Sequence, residues 1–506
     1  MRTFFTQPEY RRIAYIGLAI QVLAALCSIG YNHPDEQWQV MEFASYKLGF
    51  SPAADLPWEF REQIRQAWQP WIVFLLGKAL LALNLYNPFT LALILRLLTA
   101  LFSYAVALQL ITVFLDPSDR PVVKTALWLT CFLWFMPYVR THFNSETLSG
   151  MLFFGGLVVL LRTLRQPDGG KWGPIFLSGL LMGGAFESRF QIAFAILATA
   201  IWLLVFQRPT FGQALVGILG FLLVLGIGVL IDHWFYGNWV FTPYRYYEVN
   251  ILQDKASNWG RSPFWYYPVM VAEAAAPPLS VFLLLGVFFA LVVYPRHLLS
   301  WVIILMTLGH SAVAHKEVRF LFPLIFALPV VLAMFWHHQR WQNVLRSIPH
   351  WLQRAALYLL LIENIGLLIF ATIKPAHESV ASFSYIYHYA QNQPIDIYTL
   401  DSSPFFWSDL AVNFYRPPNA RVIQVASADS LVLEMNRSEG RKKLFFYEGF
   451  AFEDKYPEVA RHFQSQHKTI PEWLKYFNVN NWLSRARVWS LYELTSSNPK
   501  NQVAKQ

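Results

Sequence analysis

Residues 13–39 read IAYIGLAIQVLAALCSIGYNHPDEQWQ. An apolar run long enough to cross a bilayer leads directly into His33-Pro34-Asp35-Glu36. Two adjacent carboxylates and an imidazole therefore stand where a membrane helix would re-enter water. Trp38, Trp58, Trp68 and Trp71 are spaced through the following stretch, as in a segment lying along a bilayer surface. Taken alone, the stretch from Tyr31 to Pro70 also fits a solvated loop with interfacial helices.

Composition decides the class. Hydrophobic residues make up 55% of the 506 and charged residues 14%, against about 25% charged in soluble proteins. Many further runs approach the roughly 20 apolar residues of a membrane span, so the chain is expected to be a polytopic α-helical membrane protein. The net charge of +9 is not a nucleic-acid signal. The basic residues fall largely in short connections between apolar runs, where they set membrane orientation. Cys27 and Cys131 lie in different runs, and no disulfide is expected. The basic start (Arg2, Arg11, Arg12) has the layout of a signal peptide, but Cys-Ser-Ile-Gly-Tyr-Asn is a poor cleavage site, so a retained first helix is expected.

With Arg11 and Arg12 in the cytoplasm, the pattern predicts about eleven spans. They fall near residues 13–30, 89–115, 122–139, 148–164, 173–187, 191–206, 213–231, 269–293, 298–313, 320–336 and 355–372. Pro70 to Tyr86 is assigned to a first external loop, 31–88, because a crossing there would put the next basic connections on the wrong side. A break is expected at Gly183-Gly184. A second external loop, 232–268, is rich in Tyr and Trp. Residues 1–375 form the predicted transmembrane domain. From 376 to 506 the runs shorten, which predicts a small external α/β domain. Its strands are expected at 394–400, 421–425 and 443–447, and its helices at 410–415, 427–436 and 456–463. Asn436-Arg437-Ser438 fits a glycosylation acceptor, a common match. The sequence shows no internal repeat.

Five polar clusters fall at the predicted external span ends: His33/Asp35/Glu36, His142/Asn144/Glu146, Glu187/Arg189, Asp232 to Asn250, and His315/Lys316/Glu317/Arg319. Each alone fits a helix-end anchor or a snorkelling cation. Together, carboxylates beside cations suit group transfer from a phosphate-bearing donor. One carboxylate takes a proton from an acceptor hydroxyl, and a cation neutralises the departing phosphate. Two histidines and two acids would suffice for a metal, but no ligand spacing is recognisable, and neither a metal nor a cofactor is expected.

His33-Pro34-Asp35-Glu36 with Trp38, Gln39 and Glu42, then Trp58-Glu59-Phe60, Arg65 and Pro70, resembles the first external loop of the glycosyltransferase family 22 mannosyltransferases. His315-Lys316-Glu317-Val318-Arg319-Phe320 with Pro323 is similar to that family's His-Lys-Glu-x-Arg-Phe signature. Asp232 to Trp239, with Asn250 and Trp265-Tyr266-Tyr267, resembles its large middle segment, and Asn144 to Thr147 a weaker fourth one. The match runs from about residue 30 to 325. Gln66 departs from the Ser expected after Arg65, and Glu187-Ser188-Arg189 stands where many relatives carry Arg-Pro.

The resemblance implies a GT-C fold and an inverting transfer of mannose from a polyprenyl-phosphate-mannose donor to a glycan or glycolipid hydroxyl. It implies Asp35 as base and Glu36 as orienting or second acid. Lys316 and Arg319 would hold the donor phosphate. His33, Trp38, Glu146, Arg189, Tyr236, Asn250, His315 and Glu317 would support the site or bind substrate. The expected location is a bacterial inner membrane with the active face periplasmic, or alternatively the endoplasmic reticulum. Another sugar, or a lipid-sugar flippase, is the alternative. A transporter should show repeated halves and ionisable groups near mid-membrane.

Overall fold

The computed structural model describes residues 7–166, 171–391, 393–401, 403–407, 410–437, 440–449, 452–484 and 488–495. The chain divides into two compact units. One comprises Met1–Ala44 with Pro57–Pro375, and the other Ser45–Leu56 with Ala376–Gln506.

The first unit is helical. Its main helices are α1 (Pro8–Cys27), α2 (Trp68–Ala82), α3 (Pro88–Phe114), α4 (Arg120–Phe132), α5 (Ser145–Leu164), α6 (Trp172–Ser188), α7 (Ala193–Trp202), α8 (Phe211–Tyr236), α9 (Leu279–Val293), α10 (Leu298–Ala312), α11 (Leu328–His337) and α12 (His350–Ile373). Local chemistry sets several starts. Asn87 accepts from the Phe89 and Thr90 amides, Asn144 from that of Thr147, and Thr210 forms a reciprocal capping box with Gln213. Each satisfies amides that a helix leaves unpaired at its first turn. Gly237, at φ 78°, ends α8 in the left-handed conformation.

Among the described residues, six helical segments are long and apolar enough to cross a membrane, or up to eight if two bent pairs count as single spans. Eleven runs were expected. The difference lies in runs that fold as short or interrupted helices. Residues 122–139 divide into α4 and a single turn, Phe135–Val139. Residues 269–293 divide into Tyr267–Ala274 and α9, with Pro277-Pro278 between them. Residues 320–336 begin as a 3-10 helix, Val318–Phe326, and bend by 69° into α11. Proline supplies no amide to the helical ladder and clashes with the preceding turn, so the chain bends beside it.

The break expected at Gly183-Gly184 does not occur, since α6 is continuous to Ser188. The glycines bring α6 against α8. A Cβ at Gly183 would lie 2.9 Å from the Phe221 carbonyl oxygen, and Cβ atoms at Gly179 and Gly220 would overlap the Gly217 and Phe176 carbonyls. Small residues at such a crossing let two apolar helices meet backbone to backbone. α8 also runs past the expected end at 231, so Asp232 lies inside the helix, 2% exposed.

The second unit holds a five-stranded sheet. Its strands are β1 (Ile395–Thr399), β4 (Ala420–Gln424), β5 (Lys442–Glu448), β6 (Phe463–Lys468) and β7 (Trp489–Leu494), in the order β4-β1-β5-β7-β6. β2 (Phe406–Trp407) and β3 (Leu410–Ala411) form a separate hairpin. β1 pairs in parallel with β4 and β5, and β7 is antiparallel to β5 and β6. Three strands and the helix Ala428–Arg437 fall where expected. Residues 410–415 are not helical. The hairpin claims Leu410, and Tyr415 stacks on Phe383. The helix expected at 456–463 shrinks to Pro457–Ala460, because Phe463 already pairs in β6. Ser438 of the candidate acceptor lies outside the described residues. Ser45–Leu56 contributes to this unit, where Asn413 donates to Asp55 at 2.8 Å.

Candidate active site

The site begins with the chain leaving α1. The backbone bends at Asn32-His33, Pro34 and Asp35 open a helix, and Glu36–Met41 continue it as a π-helical turn, a widened helix common at functional sites. This separates the two neighbouring acids. Glu36 turns inward, 2% exposed. Its Oε2 accepts from the Asn32 amide at 2.7 Å and its Oε1 lies 3.2 Å from Nδ1 of His142, whose Nε2 meets Ser28. Asp35 keeps a side chain 23% exposed and faces cations. Its Oδ2 accepts from Arg319 Nη1 at 2.8 Å, with Arg65 Nη2 at 3.8 Å. His33 Nδ1 lies 3.6 Å from Oδ1.

Arg319 is the hub. Its Nη1 also donates to Glu146 at 2.9 Å, and Nε and Nη2 grip both oxygens of Glu317 at 2.5 and 3.0 Å. Such forked pairs are the strong, directional kind. Glu146 stands in the first turn of α5 and shares its Oε1 with Arg189 Nη1 at 2.8 Å. The guanidinium carbons of Arg189 and Arg319 lie 4.8 and 5.2 Å from the centre of the Phe320 ring, within cation–π range. Glu317 also meets His315 Nε2 at 2.9 Å and His33 Nε2 at 3.3 Å.

The electrostatics follow from this arrangement. Burial pushes the Asp35 carboxyl up, but Arg319, the His33 contact and Arg65 outweigh it and hold it well below the carboxylate range. Glu317 follows the same pattern, burial being overcome by His33 and Arg319. Burial raises Glu59, with the Arg65 charge working against it. For His33 burial opposes the proton, and the contacts with Asp35 and Glu317 overcome it, leaving the imidazole above its ordinary 6.5.

His33, Asp35, Glu36, Glu146, Arg189 and Arg319 line one cavity. The cavity volume is about 30 Å³. Glu317 and His315 stand behind Arg319. Four expected residues are elsewhere. Lys316 is turned away, its ammonium donating to the Ser262 and Val313 carbonyls at 3.0 and 2.6 Å. Two of its three donors are thereby taken, and Lys316 is not among the residues lining the cavity. Trp38 is 2% exposed and packs edge-on to Tyr31. Tyr236 donates to the Arg65 carbonyl at 2.5 Å, and Asn250 to that of Tyr246 at 3.2 Å. The cavity wall also holds Arg65, Gln39, Gln69, Gln191 and Tyr246, to which sequence reasoning gave no role. The signal for Arg65 was its place in the first-loop motif.

The profile described as the Alg9-like mannosyltransferase family matches residues 13–403. The chain is 26% identical to "Mannosyltransferase APTG1" of Arabidopsis thaliana, over 64% of this chain and 57% of that protein. It is 27% identical to "GPI alpha-1,2-mannosyltransferase 3" of Bos taurus, over 58% of this chain and 52% of that one. The chain thus spans little more than half the length of these curated relatives. Its structure is similar to that of ArnT from Cupriavidus metallidurans bound to undecaprenyl phosphate, with TM-score 0.50 and 13% identity, covering 95% of this chain and 97% of that one. The likeness places the chain in the GT-C fold.

Proposed function

Because this chain belongs to the Alg9-like mannosyltransferase family, we propose that it moves mannose from a polyprenyl-phosphate-mannose donor to a hydroxyl of a glycan or glycolipid. The observation that carries this reading is the meeting of Asp35, Glu146, Arg189 and Arg319 in one cavity. Asp35 is the base. It takes the acceptor hydroxyl proton as the oxygen bonds to the anomeric carbon. The bond from that carbon to the phosphate oxygen breaks, and its electron pair leaves with the polyprenyl phosphate. Arg319, beside Asp35, neutralises the charge that develops there. A single displacement inverts the anomeric centre. Glu36, tied to His142 and Asn32, orients the turn that carries Asp35.

The family and the polyprenyl-phosphate complex of the similarly folded ArnT support a lipid-linked donor. The predicted inside-positive connections support an extracytoplasmic active face, periplasmic in an inner membrane or lumenal in the endoplasmic reticulum. The test is purified protein with synthetic polyprenyl-phosphate-mannose and candidate glycan acceptors. A mannosylated product of inverted anomeric configuration, with released polyprenyl phosphate, is expected. Vectorial movement of the lipid without bond cleavage would replace the proposal with a transporter.

A further inference from the structure

Arg65 differs from the other cations of the cavity. Arg319 commits its three nitrogens to Asp35, Glu146 and Glu317, and Arg189 is anchored through Nη1 to Glu146 and Ser145, although its Nε and Nη2 are buried without a partner. Among the described residues, Arg65 forms no side-chain hydrogen bond. Its acidic neighbours Asp35 and Glu59 stand at 3.8 Å, too far for one, and its Nε is buried without a partner. Its remaining contact is the Tyr246 ring, 5.7 Å from the guanidinium carbon. A buried donor left unpaired costs stability unless some state of the protein uses it.

The backbone beneath it is fixed. Tyr236 donates to the Arg65 carbonyl at 2.5 Å. Asp232 accepts the Ala67 amide at 2.7 Å and the Thr242 hydroxyl at 2.6 Å. Arg245 and Lys255 both reach Glu62. The last turn of α8 and the chain after it thus clamp residues 62–67, and hold the Arg65 side chain against the cavity. A clamped backbone under an uncommitted guanidinium is a pre-organised anion site.

We infer that Arg65 grips the phosphate of the lipid-linked donor in a forked contact, and that Asp232 and Tyr236 are positioning residues for it. This rests on the donor proposed above. The phosphate takes the donors that Asp35 and Glu59 leave unused, so Arg319 retains Asp35 as the donor enters.

The test is binding of undecaprenyl phosphate and of undecaprenol to the full chain in phosphatidylcholine nanodiscs. The wild type is expected to prefer the phosphate. Arg65→Ala should weaken phosphate binding about tenfold or more and leave undecaprenol binding unchanged. Arg65→Lys should fall between, since it keeps the charge and loses the fork. Tyr236→Phe should weaken the phosphate alone, which a general loss of folding would not do. If Arg65→Ala does not fold, Arg65→Lys and Tyr236→Phe decide, and wild-type phosphate affinity in both overturns the inference. A wild type that prefers phosphate, with Arg65→Ala keeping the full preference, overturns it and leaves the transferase reading standing. A wild type that does not distinguish phosphate from alcohol removes both.

Discussion

Arg319 reaches across 284 positions of sequence to hold Asp35 Oδ2 at 2.8 Å, and the same Nη1 holds Glu146 at 2.9 Å. Three distant segments therefore share one cation.

Asp35→Asn tests the base. The amide keeps the side chain's size and removes proton acceptance, so transfer should fall by about 10²–10⁴ with purified yield unchanged. Near-normal turnover from a polyprenyl-phosphate-mannose donor would exclude Asp35 from the role.

Removing the hub should cost stability as well as rate. Arg319→Ala leaves Asp35, Glu146 and Glu317 facing one another without the cation they share, at a cost of about 3–5 kcal/mol. Asp35 and Glu317 are depressed below their ordinary 3.8 and 4.5. A depressed carboxyl stabilises above its unfolded value and loses that contribution as pH falls through the folded one. The deficit in Tm of Arg319→Ala should therefore persist at both pH 8 and pH 6. A deficit that vanishes at pH 6 would contradict the ion-pair account.

His33 carries the opposite sign. Its raised pKa contributes stability that is full below 6.5 and is lost as pH rises through the folded value. His33→Asn should lower Tm relative to wild type at pH 6 and by less at pH 9. An equal difference at both would mean that His33 is not protonated between Asp35 and Glu317.

The glycine crossing makes a structural prediction. Gly179→Val should prevent or severely destabilise folding, because its Cβ would overlap the Gly217 carbonyl. Gly226→Ala, with nothing within 4 Å of its Cβ, should leave Tm within a few degrees of wild type. Comparable yields and Tm values for the two would refute the α6–α8 contact.

The membrane class and the partnership of the first loop with the His315–Arg319 motif were legible because composition and short motifs carry them. Geometry inside a motif was not. Lys316 and Arg319 stand three residues apart, yet one donates to carbonyls of Ser262 and Val313 and the other to the acids. No spacing rule separates them, since the turn out of α10 decides. Arg65 owes its setting to Tyr236 and Asp232, more than 160 positions away. Gly183-Gly184 read as a breaker because the partner helix that makes use of the missing side chains is invisible in one segment. β6 was missed because Phe463-Gln-Ser-Gln-His-Lys468 is a polar edge strand without alternation.

The interleaving of the units has a consequence for biosynthesis. Ser45–Leu56 belong with Ala376–Gln506, and Asp55 meets Asn413 358 positions later. At roughly 5–20 residues per second, a ribosome takes about 20–70 s to make the partner of a segment already released. The early segment has to be kept from mispairing while most of the bundle inserts, and the sheet of the second unit cannot be completed until β7 has emerged.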